Sequence, residues 1–133
     1  MKFYFVLLGS LLLTANSFAS RPTCPPVELV KSAKFIRAFN DPNDHDIWNF
    51  SSQALSHDTR EWNVAFGTFL RGVRTQADAL RKGQAYFDKQ ILLIPHPKPV
   101  RIPENILFCD YMPTGHLFWT SALNPPQYKG RTK

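Results

Sequence analysis

The chain has little of what common catalytic motifs require. Its six glycines are scattered, so no glycine-rich loop is available to cradle a phosphate group. Its four histidines form no His-x-x-x-His or Glu-x-x-His pair, and no cysteine–histidine cluster has zinc spacing. No Gly-x-Ser-x-Gly motif marks the nucleophile turn of a serine hydrolase. We therefore assign no catalytic residue and predict no cofactor.

Long apolar runs are absent except near the start of the chain. Residues 3–13 form an apolar run after a short positive start, and this run is shorter than the roughly 20 residues that cross a bilayer. Small residues at Ser17 and Ala19 are typical of a signal-peptidase site. The sequence predicts a signal peptide over residues 1–19, cleaved between Ala19 and Ser20, and a secreted protein, periplasmic or extracellular, with no transmembrane segment.

Cysteine is also scarce, since Cys24 and Cys109 are the only two. In an oxidising compartment two lone cysteines are usually joined, so export predicts a disulfide between them. The bond would close a loop of about 85 residues, which the chain-entropy treatment values at about 4 to 5 kcal/mol. A nucleophilic or metal-binding thiolate is disfavoured outside the cytosol.

Positive charge is in excess, with 16 basic and 10 acidic residues, but part of the excess lies in a basic tail over residues 129–133. The body, residues 20–128, carries 12 basic and 10 acidic residues. A nucleic-acid-binding domain is expected to carry a positive stripe on its folded body, so no nucleic-acid partner is predicted. Length and aromatic content indicate one globular domain over residues 20–128.

The first part of this domain predicts a short helix and then strands. Pro25 and Glu28 suit the first turn of a helix within residues 23–31. Residues 34–39 fit either a continuation of that helix or a strand, and we favour the strand. Such a strand would place three side chains on one face: Phe35, Arg37 and Phe39.

Two segments with alternating apolar residues follow. They cover residues 47–55 and 61–70, with turn-forming residues 56–59 between them. Consecutive strands usually pair, so we predict a hairpin. The second strand would turn five side chains to one face: Trp62, Val64, Phe66, Thr68 and Leu70.

The remaining pattern completes a prediction of an α+β fold. Helical spacing predicts a long helix over residues 74–91, and the proline-rich residues 95–99 predict an extended connector. Residues 105–112 and 117–123 predict a second hairpin. The expected architecture is an antiparallel sheet of four to five strands with the long helix packed on one face. The core side of that helix would comprise Val73, Ala77, Leu80, Gln84, Phe87 and Ile91.

The chain resembles a family of small secreted proteins of unknown function, found mainly in intracellular gammaproteobacterial pathogens. The resemblance rests on features spread over the chain: Cys24-Pro25-x-Val27 followed by Lys31, a strand with Trp62, a helix with Ala77 and Ala85, Cys109-x-Tyr111, Thr114-Gly115, and a last strand that closes at Pro125. The resemblance implies export and a role at the interface with a host, and leaves open whether the protein passes the outer membrane. It implies no catalytic residues.

Three sets of residues are candidate binding sites. An acidic turn has oxygen ligands suited to Ca²⁺, but an EF-hand's glycine and glutamate positions hold Asp46 and Ser52, so a solvated turn is favoured. The basic side of the helix could meet an acidic partner or lipid headgroups, although such sides are usually only solvated. Tryptophans near predicted loop ends could anchor a partner. These candidates are Asp41, Asn43, Asp44 and Asp46 for a metal, and Arg71, Arg74, Arg81, Lys82, Trp48 and Trp119 for a partner.

The favoured hypothesis is an exported, disulfide-stabilised binding protein, virulence-associated and without enzymatic activity, whose partner is an unknown envelope or host protein. One alternative is a small secreted hydrolase with a site around His57, Asp58 and Glu61, with Ser51 or Ser52 as its nucleophile. The other is a cystatin-like protease inhibitor, because one helix across an antiparallel sheet is found in that fold.

Processing at the predicted site has a direct test. We expect the exported protein to begin at Ser20, because Ala19 presents the small side chain that the peptidase accepts. Intact-mass measurement of protein from the periplasm or the culture medium checks this. A chain that keeps its first 19 residues and stays with the membrane would contradict the prediction.

Overall fold

The computed structural model describes residues 21–90, 92–113 and 118–128. Some predicted features lie outside these residues: the signal peptide with its cleavage site at Ala19 and Ser20, Ile91, the turn at Thr114 and Gly115, and the basic tail. In the described residues, no helix is long and apolar enough to cross a membrane.

The described chain contains two α-helices, seven β-strands and one 3-10 turn. The helices are α1 (Val27–Lys31) and α2 (Gln76–Gln90), and the 3-10 turn is Pro103–Asn105. The strands are β1 (Phe35–Asn40), β2 (Ile47–Ser52), β3 (Leu55–His57), β4 (Arg60–Phe69), β5 (Val100–Ile102), β6 (Ile106–Asp110) and β7 (Trp119–Asn124).

The strands form one antiparallel sheet in the order β1-β2-β4-β7-β6-β5, and β3 pairs with the start of β4. The α+β class and both predicted hairpins are confirmed, because β2 pairs with β4 and β6 pairs with β7. The expected number of four to five strands is too low. Residues 47–57 divide into β2 and β3 at a bend, and β5 has only three residues, too few to show a period.

Strand β1 confirms the favoured interpretation of residues 34–39, but not the predicted face. A bulge lies between Phe35 and Arg37, so Phe35 pairs with Ser52 while Arg37 pairs with Ser51. An extra residue in one strand shifts the side-chain alternation. Phe35 and Ala38 are consequently buried in the core, whereas Arg37 is exposed on the opposite face.

One face of the sheet, here called the inner face, carries the core. The predicted face of β4 is confirmed for Trp62, Val64, Phe66 and Thr68, which are all buried, and Leu70 lies beyond the strand. Aromatic side chains from α2 pack onto this face, with Phe87 edge-on to Phe35 at a ring-centroid distance of 4.9 Å. Ring pairs at such distances contribute beyond their buried area.

Helix α2 differs from its prediction in its first residue and in the residues it buries. It begins at Gln76, and Ala77 is exposed while Ala79 is buried. Gly83 is the closest point of approach between α2 and the sheet, because a Cβ at this position would overlap the ring of Phe50. A glycine weakens a helix by its low propensity, but Gly83 allows α2 to reach the sheet.

The N-terminal segment is fastened to strand β6 on the inner face. The predicted Cys24–Cys109 disulfide is confirmed, with a Cα–Cα distance of 5.9 Å and a sequence separation of 85 residues. Beside it, the Tyr111 hydroxyl donates a hydrogen bond to the carbonyl oxygen of Pro25. Burial raises the pKa of Tyr111, so the phenol keeps the proton that this bond requires.

The close approach at Gly83 predicts that Gly83→Ala changes the stability in the direction opposite to the one that helix propensity predicts. In an exposed helix, Gly→Ala stabilises by about 1 kcal/mol. Here we expect Gly83→Ala to lower the free energy of unfolding by about 1 to 3 kcal/mol, because the new methyl group displaces Phe50. Urea unfolding measures the change, and Ala85→Gly, at an exposed position of the same helix, gives the propensity term alone. A stabilised Gly83→Ala variant would contradict the packing of α2.

Candidate functional site

The second face of the sheet, here called the outer face, has a different cover. Alternate residues of β4 point to this side, opposite to the buried core residues, and they include Asn63, Gly67 and Phe69. Helix α2 packs on the inner face, and α1 is tied to that same face through Cys109. Among the described residues, the outer face is therefore covered by side chains and by a short segment of chain, and not by a helix.

Trp119 lies flat on the middle of the outer face. It pairs with Gly67 across β7 and β4, and a Cβ on Gly67 would overlap the indole ring. Only a glycine lets an indole lie directly on the backbone of the neighbouring strand. Trp119 keeps part of its surface accessible to solvent, so the sheet presents a held aromatic ring.

Phe69 extends this apolar surface toward the end of β4. It is two residues beyond Gly67 on the same face, about 7 Å along the strand. Its side chain is 47% exposed, and its partner across β2 is Ile47. We call Ile47, Phe69 and Trp119 the outer patch.

A shallow depression adjoins the outer patch at Phe69. Its volume is about 430 Å³, and it is lined by Phe69, Arg71, Asp44 and Asp46. A second depression of about 290 Å³ lies on the other side of the acidic turn, between Asn40, His45, Val73 and Arg74. Both predicted partner-binding residues at this end, Arg71 and Arg74, thus border a hollow.

The four basic candidates divide into two pairs. Arg81 and Lys82 both contact Asp78, at 2.6 Å and 3.4 Å, and the hydrogen bond from Arg81 is the main reason that the pKa of Asp78 is lowered. No ion pair between described residues includes Arg71 or Arg74, and both are exposed. Of the four basic candidates, Arg71 and Arg74 are therefore the two whose charge is not paired with a described carboxylate.

The acidic turn uses its carboxylates to hold its own backbone. Asp41 accepts a hydrogen bond from the amide of Asn43, and Asp44 accepts one from Asp46. Asp46 also accepts from the amide of Gly72, which joins the turn to the segment after β4. Across residues 21–90, 92–113 and 118–128, no three acidic, histidine or cysteine side chains gather as a metal site. These contacts account for the turn as a structural element.

Trp48 is not available as an anchor. Its side chain is only 2% exposed and lies in the core between β1 and β4, which removes it from the candidate surface. Trp62 is fully buried as well, and its indole N–H donates to the carbonyl of His57. All three tryptophans lie in strands, whereas a cystatin-like wedge would place one at the tip of a loop.

The residues of the hydrolase alternative serve to fasten the N-terminal segment. His57 Nε2 and Thr23 Oγ1 are 2.9 Å apart, and Asp58 accepts a hydrogen bond from the amide of Thr23. Asp58 also pairs with Arg60 at 3.1 Å, and Glu61 accepts from Ser56. Neither depression described above is lined by His57, Asp58 or Glu61.

The serines of that alternative are engaged elsewhere. Ser52 donates to the carbonyl of Gln53 and accepts from the amide of Val64, and Ser51 donates to the carbonyl of Gln127. Each hydroxyl therefore has a structural partner. The hydrolase alternative gains no support from these contacts.

Residues 125–128, here called the C-terminal strap, cover the part of the outer face next to the outer patch. Asn63 is fully buried beneath the strap and hydrogen-bonds both the amide and the carbonyl of Gln127, at 2.9 Å and 2.6 Å. The Arg37 guanidinium lies 5.9 Å from the centre of the Tyr128 ring. In the alternating pattern of residues 61–70, Asn63 falls on the face opposite the predicted core side chains, and nothing local to it signals the strap.

No protein-family model, curated protein or solved structure matches this chain. The resemblance to small secreted proteins of intracellular pathogens therefore stays a prediction. The functional argument depends on the geometry of the outer face alone.

The seat of Trp119 on Gly67 can be tested by filling the space that the glycine leaves. We expect Gly67→Ala to push the indole off the sheet and to lower the free energy of unfolding by about 1 to 3 kcal/mol. Acrylamide quenching should increase, because Trp48 and Trp62 are buried and Trp119 alone would become more accessible. Ala65→Ser, on the same face of β4, is the matched control. Unchanged quenching in Gly67→Ala would contradict the arrangement.

Proposed function

We propose that this protein is an exported, disulfide-stabilised binding protein that contacts a partner polypeptide through the outer patch. One observation carries the proposal: the half-exposed Phe69 shares a sheet face that no described helix covers with Trp119, whose indole lies on Gly67, two residues before Phe69. Aromatic side chains clustered on a rigid surface are typical of the energetic centre of protein interfaces.

The outer patch would supply part of the free energy of recognition. Phe69 is 47% exposed, so burying its exposed part contributes about 0.7 to 1.5 kcal/mol, which corresponds to a gain in affinity of about three- to tenfold. Trp119 is already held against the strand, so little conformational freedom remains to be lost when a partner covers it. The outer patch is thus preorganised for contact.

Charged side chains of both signs border the outer patch. Arg71 lies beside Phe69 at the edge of the depression and makes no ion pair with another described residue. Asp44 and Asp46 line the same depression, and each accepts a backbone hydrogen bond. Charges of both signs at the rim of an apolar surface fix the orientation of a partner that presents the complementary pattern.

Export supports this proposal from the sequence. The predicted signal peptide would deliver the chain to an oxidising compartment, where a disulfide such as Cys24–Cys109 persists. The resemblance to secreted proteins of intracellular pathogens implies that the partner belongs to the envelope or to a host. We include both sources in the experiment.

The experiment compares two variants that each remove an exposed apolar side chain. Phe69→Ser alters the outer patch, and Leu92→Ser alters an even more exposed apolar residue after α2. Immobilised mature protein is incubated with periplasmic extract and with host lysate, and retained proteins are quantified by mass spectrometry. We expect the Leu92→Ser variant to retain a partner as the unaltered chain does, and the Phe69→Ser variant to retain about three- to tenfold less of it.

Two results would contradict the proposal. One is equal retention of every bound protein by Phe69→Ser and by the unaltered chain, which would place recognition elsewhere. The other is failure to capture any partner together with turnover of a generic ester, peptide or glycan substrate, which would favour the hydrolase alternative.

A further inference from the structure

The C-terminal strap crosses the outer face after β7. It leaves β7 at Asn124, whose side-chain amide donates to the carbonyl of Glu61, and it contacts one side chain each of β4, β2 and β1: Asn63, Ser51 and Arg37. Two prolines at its start restrict its backbone.

The sheet recognises the main chain of the strap rather than its side chains. The Asn63 amide donates to the carbonyl of Gln127 and accepts from its N–H, and Ser51 donates to the same carbonyl at 3.3 Å. The Gln127 side chain makes none of these bonds and donates instead to the carbonyl of Pro125. We call Arg37, Ser51 and Asn63 the slot.

The slot is filled by the strap. Asn63 is fully buried and Ser51 is 3% exposed with the strap in place, and removal of the strap would open both polar side chains to water. Displacing the strap therefore exchanges its hydrogen bonds for hydrogen bonds to water or to another main chain. An extended segment that reaches the same position satisfies the amide whatever its side chain at that residue.

We propose that the slot is a binding site for an extended, proline-led segment of a partner polypeptide that ends in an aromatic residue, and that the protein's own strap occupies it in cis. Asn63 and Ser51 hydrogen-bond the main chain of one residue of the segment, and Arg37 contacts the aromatic ring of the next residue. This inference deepens the proposed function and rests on it, since the slot and the outer patch share one face and would meet the same partner.

The protein's own strap determines how much affinity a partner segment needs in order to occupy the slot. A short covalent connection gives the strap an effective concentration in the millimolar range, so a free segment of equal affinity competes poorly. A partner that also contacts the outer patch gains the additional affinity needed to displace the strap. The strap would therefore keep the slot closed until the correct partner binds.

The test uses a fluorescein-labelled peptide with the sequence of residues 124–133. Gln127→Pro in the mature chain removes the N–H that donates to the Asn63 side chain, and it weakens the binding of the protein's own strap to the slot. We expect this variant to bind the peptide at least tenfold more tightly than the unaltered chain, measured by fluorescence anisotropy. Adding Asn63→Ala to this variant should weaken its affinity for the peptide at least tenfold. Adding Asn49→Ala instead, on the same face but outside the slot, should leave that affinity unchanged.

Absence of peptide binding to a folded Gln127→Pro variant would overturn the inference. If that variant does not fold, a protease site placed after Asn124 provides the second measurement. Exchange of the cut strap for labelled peptide supports the inference, and failure of the peptide to replace it overturns it. Phe69→Ser should leave peptide binding unchanged. If the peptide does not bind but capture of a partner still depends on Phe69, the slot alone is contradicted. If the peptide binds but capture does not depend on Phe69, only the proposed function is contradicted.

Discussion

A sheet has two faces, and the described residues of this chain provide one long helix to cover them. Helix α2 takes the inner face, where Gly83 lets it approach Phe50 and where Phe87 completes the aromatic core. The outer face must be protected by other means, because the apolar side chains on its strands would otherwise face water. Trp119 on Gly67 and the C-terminal strap on Asn63 provide part of that protection. The surface they leave open is the outer patch.

Both ends of the described chain are fastened to the sheet, on opposite faces. On the inner face, the Cys24–Cys109 bond and the hydrogen bond from Tyr111 hold the N-terminal segment to β6, and His57 and Asp58 hold Thr23. On the outer face, the strap is held by hydrogen bonds and by the contact between Tyr128 and Arg37, and not by a covalent bond. A covalent fastening is permanent in an oxidising compartment, whereas a hydrogen-bonded one can be exchanged. This difference is why we assign exchange to the outer face.

The sequence predicts features with a local period or a chemical context, and misses features made by residues far apart in the chain. Strict alternation identified the core face of β4, and two lone cysteines in a chain predicted to be exported identified the disulfide. Strands β3 and β5 have three residues each, too few for a period. Asn63 appeared solvent-facing because its cover arrives 64 residues later, and Trp48 looked like a surface anchor because its core neighbours come from other strands.

The central claim is that partners meet the outer face, and side-chain footprinting with hydroxyl radicals tests it most directly. Aromatic side chains react readily, so the oxidation of Phe69, Trp119 and Tyr128 can be compared in the free protein and in its complex with a captured partner. We expect oxidation of Phe69 and Trp119 to fall at least threefold in the complex, while Leu92 is unchanged. Protection of Leu92 or of α2, with Phe69 and Trp119 oxidised as in the free protein, would contradict the claim.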